Sequence, residues 1–129
     1  MERVQRMFTR MLPHLRTLTY PERLARLKLF SLERRRLRGD LIEAFKQLKG
    51  LSDVGERPLL GLSEAEGLRG HALKLSKPRA LTRRRQTFFT HRVVNAWNKL
   101  PAEAVEESSV VGFKNKLDAC WTTIFPDLP

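Results

Sequence analysis

The residues best placed to do chemistry are cations in a segment that holds no opposing charge. Between Gly67 and Ala102 there is no Asp or Glu, yet Arg69, Lys74, Lys77, Arg79, Arg83, Arg84, Arg85, Arg92 and Lys99 all fall there. Guanidinium forks and ammonium groups gathered in this way attract phosphate oxygens, release counterions and give an affinity that weakens with salt. Such contacts hold a nucleic-acid backbone and are largely blind to base sequence. A second group, Arg34, Arg35, Arg36 and Arg38, crowds the start of a helical pattern. Arg36 stands four residues before Asp40, the spacing of an ion pair along a helix, worth at most about 0.5 kcal/mol when exposed. The candidate phosphate contacts are therefore Arg34, Arg35, Arg38, Arg69, Lys74, Lys77, Arg79, Arg83, Arg84, Arg85 and Arg92.

Aromatic rings beside arginines can stack on unpaired bases, and Phe88, Phe89 and Trp97 adjoin the acid-free segment. Their helical spacing assigns them to a packed core instead. Asn95 and Asn98 are placed either to touch bases or to cap the turn before Pro101, and the sequence does not separate the two. For catalysis the usual constellations are missing: no GxSxG, P-loop or HExxH is present, and no carboxylate pair is set to hold two metal ions. Asp40 and Glu43, three residues apart beside the arginines, read as salt-bridge partners. Cys120 is the only cysteine, so neither an internal disulfide nor a zinc knuckle can form, and His14, His71 and His91 lack ligand spacing. No cofactor, metal, small-molecule substrate or enzymatic activity is expected.

The 129 residues carry a net charge of +11, with 41% hydrophobic and 30% charged residues, a foldable composition that calls for an anionic partner. RNA or DNA is the expected one. No membrane partner is expected, because no apolar run is long enough to span a bilayer and the apolar residues are spoken for by internal packing faces. A single thiol fits a reducing compartment, nucleus or cytoplasm. The segment MERVQRMFTRML has the Arg-bearing amphipathic look of a mitochondrial presequence, but Glu2 interrupts it.

The elements that must position these cations are mainly helical. Val4, Met7, Phe8, Met11 and Leu15 form one face of a first helix with Arg3, Arg6 and Arg10 opposite, ending near Pro13. Pro21 opens a second, short helix with Leu24 and Leu27 buried. Ser31 caps a third, in which Leu37, Leu41, Phe45 and Leu48 repeat at helical intervals up to Gly50. Gly55, Pro58, Gly61, Gly67 and Gly70 punctuate a connector over 51–70. Alternation from His71 to Lys77, then Pro78 and an extended stretch from Leu81 to Arg84, predict a short β-hairpin. Phe89, Val93, Trp97 and Leu100 mark another helix, widened by Phe88 and Val94. Pro101 starts a brief turn of helix, and Ser108 or Ser109 caps a last helix built on Val110, Phe113, Leu117, Trp121 and Ile124. The expected architecture is thus two small helical clusters, 1–50 and 71–129, joined by the Gly/Pro-rich connector and the hairpin.

The run LTYPERLARLKLFSLERRRLRGDLIEAFKQLKG, residues 18–50, resembles the C-terminal region of reverse transcriptases of the chicken-repeat and jockey-like group of non-LTR retrotransposons. So does RRRQTFFTHRVVNAWNKLPAEAVEESSVVGFKNKLDACW, residues 83–121, in matching order and at similar spacing. VQRMFTRML, residues 4–12, resembles the helix preceding them, which displaces the presequence reading. The resemblance implies an origin in an RNA-directed DNA polymerase without its activity, since the endonuclease domain and the magnesium-binding aspartates of the palm have no counterpart in this sequence. Two functions follow as expectations. One is a non-catalytic, nucleic-acid-binding fragment; the other is a helical protein-interaction module that docks on a reverse transcriptase core or self-associates.

Overall fold

Local signals fix the helix starts. In a computed structural model that describes residues 2–53, 60–64, 69–79 and 81–128, α1 (Glu2–Met11) leads through a 3-10 turn at Pro13–Leu15 into α2 (Tyr20–Leu27). α3 (Leu32–Leu48), α4 (Arg83–Gln86), α5 (Phe89–Asn98), α6 (Ala102–Val105) and α7 (Val110–Ile124) follow. Gly55, Pro58 and Gly67 of the expected connector lie outside the described residues. Ser31 caps α3 by accepting from the Arg34 amide at 3.1 Å, and Ser109 caps α7 by accepting from the Gly112 amide at 3.0 Å. At the head of α2 the Glu22 carboxylate reaches back to the Thr19 amide at 2.7 Å, satisfying a donor that no helical carbonyl can take.

The fold is mainly helical, as the spacing predicts. Its main core joins Leu41, Ala44 and Phe45 of α3 to Val93, Val94 and Trp97 of α5 and to Phe113, Leu117 and Trp121 of α7, with Ala104 and Val105 of α6 closing one end. Phe45 and Phe113 stack with centroids 4.3 Å apart, and Trp97 lies 6.0 Å from Phe113. α3 therefore shares its core with helices from the far side of the connector, while α1, the 3-10 turn and α2 stand outside that core, around Leu15 and Leu24, and α4 contributes no residue to it.

The β-hairpin is not formed among the described residues. The one ladder contact is an isolated antiparallel bridge from Leu75 back to Leu62, with Ser63 N–H donating to Lys74 O at 2.7 Å and Ser76 N–H to Gly61 O at 2.9 Å. On its other side Leu75 is held by the Asn98 amide, whose Oδ1 accepts from Leu75 N–H at 2.8 Å and whose Nδ2 donates to Leu75 O at 3.0 Å. Around Leu75 both edges are thus taken, by Gly61 and Ser63 on one side and by Asn98 on the other. The stretch 81–84 instead enters α4, started by the Thr82 hydroxyl accepting from Arg85 N–H at 3.3 Å.

The first helix is inverted relative to its expected packing. Val4, Met7, Phe8 and Met11 are 63%, 62%, 67% and 64% exposed, and the buried residue of α1 is Thr9. The polar side of α1 faces in because it is tied by hydrogen bonds: Tyr20 OH donates to the Glu2 carboxylate, Glu33 N–H donates to Glu2 Oε2 at 3.2 Å, and Gln5 Nε2 donates to Phe30 O at 3.3 Å. Burial and the hydrogen bond to Glu2 push the Tyr20 hydroxyl up to about 12.

His71 makes the core sensitive to pH. It is buried edge-on to Trp97, its Nε2 donates to Trp97 O at 3.1 Å, and its Nδ1 is buried without a partner. A proton on Nδ1 would find no acceptor. Burial chiefly, with Lys74 adding to it, holds the His71 pKa below the ordinary 6.5. The unfolded chain then takes up this proton first, so the contribution of neutral His71 is complete above pH 6.5 and is lost as pH falls from there toward the folded value. Urea unfolding should show lower stability at about pH 5.5 than at about pH 7.5, and His71→Gln should flatten that difference. Equal pH dependence in the two proteins would refute the assignment.

Candidate nucleic-acid interface

The eleven predicted cations divide into those that hold the fold and those that face solvent. Arg38 grips Asp118 of α7 through Nε and Nη2 at 2.7 and 2.8 Å, which raises the Arg38 pKa and keeps the Asp118 carboxyl below its ordinary range. Arg34 lies over the Phe30 ring at 3.7 Å and the Trp121 ring at 5.0 Å; burial lowers its pKa, and its Nε has no partner. Both side chains fasten α3 to its neighbours, so of the three predicted contacts on α3 only Arg35 stays open to solvent.

Arg92 and Lys74 are occupied as well. Arg92 Nε and Nη2 meet Asp40 at 2.5 and 2.9 Å while Nη1 donates to Thr87 O at 2.7 Å, and the Asp40 hydrogen bonds raise its pKa. Asp40 thus pairs across to α5, not with Arg36 along its own helix. The cause is geometric: a fixed two-pronged fork at a helix interface outcompetes a mobile surface pair. Lys74 Nζ donates to Asn98 O.

What remains is a solvent-facing group: Arg35 on α3, Arg69, Lys77 and Arg79 in the irregular segment, and Arg83, Arg84 and Arg85 on α4. None of these joins an ion pair among the described residues. α4 buries no residue, and at about 100° per residue its three arginines fan outward from a single turn. That turn is braced from both ends: at its start the Thr82 hydroxyl accepts from Arg85 N–H, and at its close Thr87 Oγ1 donates to Arg84 O at 2.7 Å and Phe88 N–H to Arg85 O at 3.2 Å. Acidic side chains gather elsewhere: Glu103, Glu106 and Glu107 lie on or just after α6, where Glu107 meets Lys116 at 2.8 Å.

Next to α4 a cleft of about 410 Å³ is lined by Lys77, Pro78, Gln86, His91, Arg92 and Asn95. It brings the irregular segment, the end of α4 and the first turns of α5 to one place. Of the seven open cations only Lys77 lines it; Arg35, Arg69, Arg79, Arg83, Arg84 and Arg85 do not, and Phe88 stands just outside it, in the chain between the lining residues Gln86 and His91. Sequence reasoning missed Gln86 and His91, and it placed Phe88 in the core, whereas Phe88 is 63% exposed. The signal was available: Phe89, Val93 and Trp97 keep a four-residue step, and Phe88 precedes that register as the residue before the helix. Asn98 neither caps the turn before Pro101 nor stands free for bases, being committed to Leu75.

Among the described residues no group of His, Cys, Asp and Glu could hold a metal ion, and no helix is long and apolar enough to cross a membrane. Neither a protein-family model, nor a curated protein, nor a solved structure matches the chain.

Proposed function

We propose that the chain is a non-catalytic nucleic-acid-binding module that holds RNA or DNA by its phosphate backbone, derived from the C-terminal end of a non-LTR retrotransposon reverse transcriptase. The observation that carries the binding reading is the run of solvent-facing cations Lys77, Arg79, Arg83, Arg84 and Arg85, which no carboxylate among the described residues neutralises. The origin rests on the resemblance of residues 18–50 and 83–121. Nucleus or cytoplasm is the compartment this reading assigns; the lone, half-buried Cys120, its thiol pushed up by burial, suits either.

Binding is electrostatic first, so affinity for a labelled single-stranded RNA should fall steeply with salt. Each neutralised single-strand phosphate contributes about −0.7 to the slope of log K against log salt; five contacts give about −3.5. Fluorescence anisotropy across a salt series measures this, and a slope near zero would remove the backbone-binding reading.

The exposed stripe Val4, Met7, Phe8 and Met11 favours a second reading, docking of α1 on a reverse transcriptase core. Arg10 and Arg16 are exposed next to Met7 and Met11 of the stripe, which disfavours self-association through this face and fits an apolar groove rimmed by carboxylates. Under this reading Phe8→Asp abolishes capture of a polymerase core without changing RNA affinity.

A further inference from the structure

We infer that Phe88 and the cleft behind α4 form a subsite for one unpaired nucleotide, which makes the chain prefer single strands to duplex. This rests on the nucleic-acid-binding reading above and sharpens it to a class of ligand. The Phe88 ring is 63% exposed and follows Arg83, Arg84 and Arg85 closely in the chain, whereas Phe89, its neighbour, packs against the core as the helix register requires.

The ring stands on a stiff base. Phe88 N–H donates to Arg85 O at 3.2 Å, and Phe88 O accepts from both His91 N–H and Arg92 N–H at 3.0 Å. Its backbone is thereby fixed between α4 and α5, with φ −64° and ψ 151°. With the backbone held, only the two side-chain torsions of Phe88 have to be ordered when a base stacks on the ring, and every base has a face to stack.

The cleft supplies what a base and its phosphate need. Gln86 and Asn95 each carry an amide that both donates and accepts, the combination that reads the edge of an unpaired base. Lys77 offers an ammonium to the phosphate from the wall of the cleft. The carboxylate that could repel a phosphate here, Asp40, is neutralised by the two-pronged Arg92 contact. The volume lies in the range of sites that enclose small organic groups, roughly 300–1,000 Å³. In a duplex the base faces and edges are taken up by stacking and pairing, so only the phosphate contacts survive.

The test uses the full chain and one labelled RNA dodecamer, either alone or annealed to its complement. Phe88→Ala should weaken single-strand binding about tenfold, the loss expected for one stacked base, leaving the salt slope and the duplex affinity unchanged. Phe88→Trp should restore single-strand binding, and Asn95→Ala should lower it without touching duplex. Because Phe88 is exposed, the variants should keep the wild-type circular dichroism spectrum and unfolding midpoint. If the wild-type chain binds both RNAs and Phe88→Ala changes neither, the subsite is refuted while backbone binding stands. If Phe88→Ala weakens both RNAs equally, the ring is a general support of the surface and the single-strand preference is refuted. If the wild-type chain binds neither RNA, both readings fall.

Discussion

Replacing Arg83, Arg84 and Arg85 together with Ala should weaken binding to single-stranded RNA roughly a hundredfold at low salt and reduce the slope of log K against log salt by about 2. α4 buries nothing and its three guanidinium groups serve no ion pair among the described residues, so removing them costs the fold little. Their loss is therefore a loss of ligand contacts, equal to about 2.7 kcal/mol of binding at that factor. Anisotropy titrations of the triple variant check it, with Arg38→Ala as the contrast. Arg38 holds Asp118 across the α3/α7 junction, so that variant should lose stability more than affinity. The reverse pattern, affinity lost with Arg38 and kept without the α4 arginines, would place the interface elsewhere.

Trp97→Ala should cost about 3–5 kcal/mol of folding stability, the range for deleting a buried aromatic side chain. Trp97 is fully buried, contacts the Phe113 ring, and donates its indole N–H to Leu73 O at 2.8 Å. It therefore ties the irregular segment that carries Lys77 and Arg79 to the helical core. Stability of a domain this size is typically about 5–15 kcal/mol in total, so the variant should sit near the edge of folding. Trp97→Phe keeps most of the packing and loses the indole hydrogen bond, for about 1–2 kcal/mol. Urea denaturation followed by circular dichroism separates the three proteins. A Trp97→Ala chain within about 1 kcal/mol of wild type would contradict the central place given to this residue.

The helices were legible because their signals are local. Ser31, Pro21 and Ser109 announce starts, and Leu37, Leu41 and Phe45 or Phe113, Leu117 and Trp121 recur at the helical period. What the sequence hid was non-local. Alternation over His71–Lys77 marks an extended segment but cannot say that its partners are Leu62 and the Asn98 side chain. Amphipathicity identifies α1 but not which side packs. That was decided by hydrogen bonds from Tyr20, Glu33 and Gln5, which span distant parts of the chain.

The candidate site was legible to the same degree. Charge composition found the basic stretch, since absence of acid between Gly67 and Ala102 needs no structure to see. It could not separate Arg83, which reaches solvent, from Arg92, which meets a carboxylate fifty-two positions away. Ion pairs of that reach depend on how α3 and α5 pack, and charge counting carries no information about packing. The adjacent pair Phe88 and Phe89 is a different case: one ring faces the core and the other solvent, and the four-residue step of Phe89, Val93 and Trp97, readable in the sequence, tells them apart.

The most direct test of a basic face that holds nucleic acid is to watch the arginines themselves. Side-chain Nε–Hε resonances of the full chain, titrated with single-stranded RNA at low salt, should move for Arg79, Arg83, Arg84 and Arg85 and stay still for Arg38, whose Nε is already bonded to Asp118. Shifts confined to Arg3, Arg6 and Arg10, or spread evenly over every arginine, would contradict the account.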